Sequence, residues 1–181
     1  MKISTLLPGA LVLEPRIFVD NRGHFLETYQ AQRYAEAGLP AHFVQDNLSF
    51  SQHGVLRGLH YQLGQPQGKL VFVVQGTIFD VVVDIRKSSP NFGRWASVVL
   101  EAKDYRQLYV SPGFAHGFWV MSEQATVIYK CTDYYAPREE RGVIWNDPAL
   151  GIPWPEATPL LSEKDAVYPR LQDIPADQLP E

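Results

Sequence analysis

Residues 55–62, which read VLRGLHYQ, decide the interpretation of this sequence. His60 lies six residues after Gly54 and nine residues before Lys69, and a second histidine, His116, ends the later turn PGFAH at residues 112–116. A histidine on a strand, followed by a Pro-Gly-x-x-His turn, is typical of a histidine site inside a small antiparallel β-barrel. The sequence therefore predicts a polar pocket inside a barrel.

The spacing resembles the mononuclear metal site of cupin-type barrels, but only half of the ligand pattern is kept. Such a site draws a His-x-His pair from one strand, a carboxylate a few residues later and a third histidine from a later strand. Here Gln62 replaces the second histidine and Lys69 stands near the carboxylate position. An ammonium about 4 Å from a cation repels each unit of its charge by about 4 kcal/mol at an effective dielectric of about 20. We predict a metal-free pocket.

Composition limits the class of protein. The 181 residues are enough for one domain with a well-buried core, predicted to span residues 1–181, and 45% hydrophobic with 20% charged residues is ordinary for a globular protein. A net charge of −4 argues against a nucleic-acid or anionic-membrane surface. No run approaches the ~18 apolar residues of a membrane span. The one cysteine, Cys131, is predicted to be a packed strand residue, and we expect a reducing cytoplasm.

Short β-branched and aromatic runs between Gly, Pro, Asn and Asp predict an all-β sandwich or closed barrel with little helix. A hairpin is predicted from residues 69–74 and 77–85, joined at Gln75-Gly76. In its second strand, one face is predicted to hold Phe79, Val81, Val83 and Ile85, while Asp80 and Asp84 alternate on the other. Further strands are predicted at residues 10–18, 43–51, 95–100, 107–110, 115–121 and 125–134. One helix is predicted at residues 31–37, ended by Gly38 and Pro40. From about residue 147 the chain holds seven of the 14 prolines, so we expect an irregular segment wrapped around the barrel.

Five polar side chains belong to segments that would converge in such a barrel: Arg57, His60, Gln62, Lys69 and His116. Burying so many polar groups is costly unless a ligand or a full hydrogen-bond network satisfies them. A histidine with an ordinary pKa of about 6.5 is suited to act as a general base. Such a base usually needs a carboxylate partner, and the segment SEKD at residues 162–165 offers one.

Nine motifs, in order and with the expected spacing, resemble the dTDP-4-dehydrorhamnose 3,5-epimerase family between about residues 7 and 170. They are RG at 22–23 with Glu27, QDN at 45–47, RGLHYQ at 57–62, GKL at 68–70, PGFAHGF at 112–118, YK at 129–130 with YY at 134–135, WNDP at 145–148, IPWP at 152–155 and SEKD at 162–165. Any one of them is a weak signal. The resemblance implies a cupin-like jelly roll (double-stranded β-helix) with few short helices, a homodimer, and no cofactor or metal.

The resemblance also implies roles for individual residues. His60 would remove protons beside the C4 ketone with Asp165 as its partner, Lys69 would stabilise the enolate, and Tyr129 would return a proton on the opposite ring face. The residues that would contact the dTDP-sugar substrate are Arg22, Glu27, Gln45, Asp46, Asn47, Arg57, Lys69, His116, Glu140 and Lys164. The segment with Arg22 and Glu27 would reach into the partner subunit. The product would feed dTDP-L-rhamnose synthesis for cell-surface polysaccharides such as lipopolysaccharide.

Three other functions stay open from the sequence. A mono-epimerase that inverts only C3 or C5 of another dTDP-4-keto-deoxysugar would keep His60, Asp165 and Tyr129. A non-enzymatic nucleotide-sugar-binding barrel would have dispensable side chains at Lys69 and Tyr129. A metal-dependent cupin oxygenase is disfavoured by Gln62 and Lys69.

Overall fold

Two antiparallel β-sheets face each other in the computed structural model, which describes residues 1–181. In chain order the strands and the helix are β1 (Lys2–Leu7), β2 (Ala10–Glu14), β3 (Ile17–Asp20), β4 (Gly23–Leu26), α1 (Ala31–Glu36), β5 (Gln45–Gln52), β6 (Leu56–Gln62), β7 (Lys69–Gln75), β8 (Thr77–Asp84), β9 (Trp95–Glu101), β10 (Gln107–Val110), β11 (Phe114–Val120), β12 (Gln124–Cys131) and β13 (Glu140–Gly142). Three short 3₁₀ segments, Ala102–Asp104, Leu171–Asp173 and Ala176–Gln178, complete the secondary structure.

The two sheets form a cupin-like jelly roll, which confirms the predicted all-β class. One sheet has six strands in the order β1-β2-β10-β7-β12-β5, and the other has five in the order β13-β6-β11-β8-β9. Strands β3 and β4 form a separate hairpin outside both sheets. Neighbours within each sheet come from distant parts of the chain, so β7 and β12 share one wall while β6 and β11 share the other.

Alternating side chains divide the interior into an apolar half and a polar half. The apolar half is a cluster of 14 buried residues from both sheets, among them Val71, Val73, Val82, Leu108 and Val127. Each fully buried side chain of this kind stabilises the fold by about 1.5–3 kcal/mol relative to exposure. This cluster holds the two walls together beside the polar half, which remains open as a cavity.

The outer face of the five-stranded sheet is also buried. Val81, Val83 and Ile85 alternate along and just beyond β8, as the period of two predicted, and they pack against Leu171 and Ile174 from the C-terminal segment. The irregular segment after residue 147 therefore covers this sheet. Its docking brings residues 162–168 close to the end of β6.

Two local predictions were wrong. The predicted hairpin of residues 69–74 and 77–85 consists of two strands in different sheets, because the turn at Gly76 carries the chain from β7 to β8 across the sandwich. Gly76 has φ +80°, and a Cβ there would lie 2.1 Å from the carbonyl oxygen of Gln124. The single strand predicted at residues 10–18 is split at Pro15, which has no N–H for strand pairing, and its second half belongs to the outer hairpin.

The predicted helix is confirmed as α1, one residue shorter than expected. Gln30 caps its start by accepting a hydrogen bond from the Arg33 backbone N–H at 2.6 Å. Gly38 follows Ala37 with φ +84°, the conformation in which glycine commonly ends a helix. Tyr34 anchors the helix to the six-stranded sheet, since its hydroxyl donates to Gln107 Oε1 at 2.7 Å.

A bulge in β6 sets the orientation of the side chains that matter most below. Arg57 lies opposite Phe118 and His60 lies opposite His116, so three steps along β6 match two along β11. Residues three apart on a regular strand face opposite sides, whereas the extra residue lets Arg57 and His60 line the same cavity. The bulge depends on Gly58, which has φ +133°, and on Gly117, where a Cβ would lie 2.6 Å from the Arg57 carbonyl oxygen.

Candidate active site

A cavity of about 620 Å³ opens between the two sheets at their polar end. Ten of the thirteen residues predicted from the sequence line it, and they come from both walls and from the C-terminal segment. These ten are Gln45, Asn47, Arg57, His60, Lys69, His116, Tyr129, Glu140, Lys164 and Asp165. A pocket of this size and mixed polarity is large enough for a ligand of nucleotide-sugar dimensions.

His60 and Asp165 form a short hydrogen-bonded pair at the cavity wall. His60 Nε2 lies 2.5 Å from Asp165 Oδ1, and the Asp165 side chain is only 3% exposed. Burial alone would raise the pKa of Asp165, but the hydrogen bond and charge of His60 outweigh it and lower the pKa below its ordinary value. An ionised Asp165 accepts the Nε2 proton, which leaves Nδ1 as the ring nitrogen with a free lone pair. This is the arrangement of an oriented general base.

One turn of the C-terminal segment, residues 162–168, supplies Asp165. The turn is closed by Ala166 N–H donating to the Ser162 carbonyl at 3.2 Å, and the Asp165 N–H donates to Ser162 Oγ at 3.2 Å. Lys164, next in the chain, forms an ion pair with Glu140 on β13. The turn is thus fixed at two adjacent points, on His60 and on Glu140.

Glu140 gathers several hydrogen-bond donors at the edge of the cavity. Burial would raise its pKa, but hydrogen bonds from Lys164 and Tyr135 hold the pKa below its ordinary value. The Tyr168 hydroxyl also donates to Glu140 Oε1, at 3.2 Å. The charge run REER at residues 138–141 therefore contains a partly buried carboxylate, and Glu140 is not a solvated surface residue.

Lys69 contributes a cation to the opposite wall without an ion-pair partner. None of the ion pairs of the protein includes it. Burial lowers the pKa of its ammonium, against the opposing influence of Cys131, Glu140 and Asp80. A partly desolvated donor that is not neutralised by a carboxylate is suited to stabilise an oxyanion. Cys131, opposite Lys69 on β12, is fully buried as predicted.

Tyr129 lies on the same wall as Lys69, on the neighbouring strand. In the register of β7 and β12, Val71 stands opposite Tyr129 and Lys69 stands opposite Cys131, so the two side chains are diagonal neighbours. Burial raises the pKa of Tyr129, so its phenol keeps its proton near neutral pH. Tyr129 and His60 therefore line one cavity from different sheets.

A second histidine–aspartate pair lies beside the first, and half of it was missed by the sequence analysis. His116 Nε2 lies 2.8 Å from Oδ1 of Asp80, a residue with no exposed surface. Asp80 Oδ2 has no hydrogen-bond partner. The sequence placed Asp80 only as an alternating strand residue, although a carboxylate between Phe79 and Val81 in a buried strand was a signal that it had a polar partner.

Several other side chains complete or border the site. Arg57 is held by its Nε donating to Ser51 Oγ at 3.0 Å, and Gln45 Nε2 donates to Asn47 Oδ1 at 2.9 Å on the opposing sheet. Gln62, at the position of the absent metal ligand, is a buried structural residue: its amide donates to the carbonyl of Gln65 at 2.7 Å and accepts from a backbone N–H at 2.9 Å.

Three predicted residues lie outside the cavity of this chain. Arg22, in the turn of the β3–β4 hairpin, forms an ion pair with Asp20 at 2.6 Å and its side chain is 85% exposed. Glu27, after that hairpin, pairs with Arg33 of α1. Asp46 points to the outer side of β5 and binds Lys130 Nζ at 3.0 Å.

No group of three or more His, Cys, Asp or Glu side chains is arranged so that it could hold a metal ion. No helix here combines the length and the hydrophobicity that crossing a membrane would require. Beside Arg57, Glu140 and Lys164, the cavity therefore contains the His60–Asp165 pair, the unpaired ammonium of Lys69 and the phenol of Tyr129.

An oriented base on one wall, with a cation and a phenol on the other, defines a proton-transfer enzyme built on a jelly roll. Comparison with known proteins narrows this class. The family model of dTDP-4-dehydrorhamnose 3,5-epimerase matches residues 4–173. The chain is 53% identical over 168 residues to the dTDP-4-dehydrorhamnose 3,5-epimerase of Pseudomonas aeruginosa, covering 91% of this chain and 93% of that protein. The chain belongs to the dTDP-4-dehydrorhamnose 3,5-epimerase family.

Solved structures agree with this assignment. The structure of the epimerase RmlC from Legionella pneumophila Philadelphia 1 was solved in complex with dTDP-4-keto-L-rhamnose. It is 50% identical in sequence to this chain and superposes with a TM-score of 0.95, and the match covers 99% of this chain and 97% of the RmlC chain. A 3'-monoepimerase from Streptomyces bikiniensis, in complex with dTDP-quinovose, is 38% identical with a TM-score of 0.86, covering 91% and 84% respectively. Enzymes that invert different numbers of centres therefore share this fold.

Proposed function

We propose that this protein converts dTDP-4-dehydro-6-deoxy-D-glucose to dTDP-4-dehydro-L-rhamnose by inverting C3 and C5 of the sugar, as a step of dTDP-L-rhamnose biosynthesis. Family membership supports the substrate class, since relatives of about 50% identity carry this activity in their names. The proposed setting is the cytoplasm, and the product would supply cell-surface polysaccharide, including lipopolysaccharide.

The observation that carries the proposal is that His60 and Tyr129 line one cavity from opposing sheets. A base alone would exchange a proton on one face of the sugar ring and return it to the same face. Inversion needs a donor on the far side. Tyr129 would be this donor, because a ring bound between the walls would present one face to β6 and the other to β12.

In the proposed reaction, Nδ1 of His60 removes the proton from the carbon beside the C4 ketone, and the C–H electron pair forms the enolate. Asp165 stabilises the resulting imidazolium through Nε2. The oxygen of the enolate faces the Lys69 ammonium, a contact that is typically worth about 3–4 kcal/mol in the transition state. Tyr129 then protonates the carbon from the opposite face. Afterwards Tyr129 takes a proton from solvent, and His60 releases to solvent the proton that it removed from the sugar.

Raised and lowered pKa values fit these roles. Burial raises the pKa of Tyr129, which keeps the phenol protonated and able to donate. The lowered pKa of Asp165 keeps it charged beside the imidazolium. A positioned acid or base typically contributes about 10²- to 10⁴-fold to a rate. We propose that these groups act without a metal or another cofactor.

Substrate binding is proposed for the remaining polar residues of the cavity. Arg57, held by Ser51, and Lys164 are cations suited to the diphosphate, by a guanidinium fork and by point charge respectively. His116, fixed by Asp80, faces the same space and would bind the sugar. Gln45, Asn47 and Glu140 offer hydrogen-bonding groups along the rest of the wall.

We also propose a homodimer in which Arg22 and Glu27 serve the cavity of the partner subunit. The β3–β4 hairpin that precedes Glu27 projects from both sheets, with Phe25 70% exposed and Val19 78% exposed. On the outer face of the edge strand β5, Leu48 and Phe50 are 65% and 52% exposed. Exposed apolar side chains such as Leu48 and Phe50, two residues apart on one face of an edge strand, are typical of an interface. Asp46 lies on this same outer face.

One experiment tests the activity against its alternatives. The protein is incubated with dTDP-4-keto-6-deoxyglucose in deuterated water, and C3 and C5 are followed by NMR. Exchange with inversion at both positions supports the proposal. Inversion at one position supports a mono-epimerase, which the Streptomyces bikiniensis relative makes the second candidate. Absence of exchange would leave a nucleotide-sugar-binding barrel, and a rate lost on chelation would contradict the metal-free reaction.

A further inference from the structure

Tyr168 touches the catalytic pair without lining the cavity. Its ring packs against the ring of His60 with the centroids 5.7 Å apart and the planes at 70°, an edge-to-face contact. Its hydroxyl donates to Glu140 Oε1 at 3.2 Å. Tyr168 is not among the residues that line the cavity. It is therefore placed to act on His60 and has no place against the substrate.

The ring of Tyr168 occupies a space left for it by the backbone of β13. A Cβ added at Gly142 would lie 2.5 Å from two carbon atoms of the Tyr168 ring, a separation that real Cβ atoms do not show. Gly142 is the residue of β13 that stands opposite His60 in the pairing with β6. The glycine, the tyrosine ring and the histidine ring thus form one packed contact.

Tyr168 also completes the attachment of the turn at residues 162–168. Asp165 fixes the turn to His60 and Lys164 fixes it to Glu140, while Tyr168 contacts both His60 and Glu140. Just beyond it, the carbonyl of Pro169 accepts a hydrogen bond from Ile144 N–H at 2.8 Å. Without the ring, His60 would keep its hydrogen bond to Asp165 but lose the surface that limits rotation of the imidazole about that bond.

We infer that Tyr168 is a positioning residue for the proton transfer proposed above. Its ring packs between Gly142 and His60 and thereby holds the plane of the His60 imidazole. Its effect is exerted on the step in which His60 removes the proton, and it leaves nucleotide binding alone. A displacement of about 1 Å in a catalytic group can lower a rate by about 10²-fold. The ring of Tyr168 positions His60, whereas its hydroxyl donates a hydrogen bond to Glu140.

The test is a double-mutant cycle on Tyr168 and Gly142. Tyr168→Ala is expected to lower kcat by about 10- to 100-fold while KM and the Kd for dTDP change by less than about threefold. Tyr168→Phe, which keeps the ring, is expected to restore most of kcat. Gly142→Ala should impair kcat in the natural background, because the new methyl group displaces the ring, and should add no further loss when Tyr168 is already alanine.

Val167→Ala provides the matched control, since Val167 is on the same turn and 78% exposed. It should leave kcat unchanged. The inference is overturned if Tyr168→Ala keeps kcat within twofold, if KM and the dTDP Kd rise as much as kcat falls, or if the effects of Gly142→Ala and Tyr168→Ala simply add. If the natural protein fails to exchange protons at C3 and C5, the proposed function is overturned instead. Failure of the proposed function is thus distinguishable from failure of the inference about Tyr168.

Discussion

Replacing Asp165 with asparagine separates the charge of the proposed catalytic pair, His60 and Asp165, from its geometry. Asparagine has the same shape, and its side-chain oxygen can still accept the Nε2 proton of His60. The backbone bond from residue 165 N–H to Ser162 Oγ is unaffected by the change. The substitution removes the negative charge beside the imidazolium that would form in the proposed reaction, when His60 takes a proton.

The expected loss follows from the contact distance and the exposure of the pair. Charge centres about 4 Å apart interact by about 4 kcal/mol at an effective dielectric of about 20. The His60 side chain is 22% exposed, so water screens part of this energy, and about 2–3 kcal/mol remains, in the range of hydrogen bonds to charged groups. At about 1.36 kcal/mol for each factor of ten, Asp165→Asn should lower kcat by about 30- to 150-fold.

The assay is the rate of deuterium incorporation and inversion at C3 and C5, followed by NMR at saturating substrate. Glu163→Gln is the matched control, because it removes the same charge two residues away on an exposed side chain without a hydrogen-bond partner. It should retain full activity. If folded Asp165→Asn protein, with an unchanged dTDP Kd, keeps kcat within threefold of the natural protein, Asp165 does not stabilise the imidazolium.

Three further predictions concern the fold, its acid stability and its assembly. Gly117→Ala should destabilise the protein by about 1–3 kcal/mol in urea unfolding, because its Cβ would lie 2.6 Å from the Arg57 carbonyl oxygen; a loss under 0.5 kcal/mol would contradict the tight bulge. The pKa values of Asp165 and Glu140 are lowered in the folded protein, so their ionised carboxylates stabilise the fold. This contribution to the free energy of unfolding is fully present above the ordinary carboxyl pKa of about 4 and disappears as the pH falls through the lowered pKa values. Asp165→Asn should therefore flatten the loss of thermal stability below about pH 4, and an unchanged acid profile would refute this. Phe50→Glu should convert the proposed dimer to monomer in light scattering, and a dimer of unchanged mass would place the interface elsewhere.

Local sequence patterns predicted the elements of the fold better than their pairing. The period of two along β8 correctly grouped Val81, Val83 and Ile85, and the glycine and proline after residue 37 correctly ended the helix. The predicted hairpin failed because a two-residue connection with glycine is compatible both with antiparallel pairing and with a crossing between sheets. The choice between these two arrangements depends on non-local pairing. Strand β7 pairs with β10 and β12, whereas β8 pairs with β9 and β11.

The composition of the site was predictable for a different reason. Polar side chains on segments that converge in a barrel predicted that Arg57, His60, Lys69 and His116 share a pocket, and all four line the cavity. Tyr129 came only from the resemblance to the family, because a tyrosine on a strand is by itself an ordinary core residue. Asp80 was missed because a strand pattern does not show which buried acid has a histidine across the ladder. Tyr168 was missed because its relation to His60 depends on how the C-terminal segment docks, and an irregular segment has no periodicity from which its packing could be derived.

The error about the hairpin bears directly on the chemistry. Had β7 and β8 been adjacent, Lys69 would share a wall with His116 and, through β11, with His60. The proposed base and the proposed oxyanion stabiliser would then approach the sugar ring from one side. The crossing at Gly76 instead puts Lys69 and Tyr129 on the wall opposite His60, with the apolar cluster around Val71 and Val127 holding the two walls together. The separation between the proposed base, His60, and the proposed acid, Tyr129, is thereby set by core residues that have no chemical role. Replacing these core residues with smaller ones should impair inversion more than proton exchange at a single face.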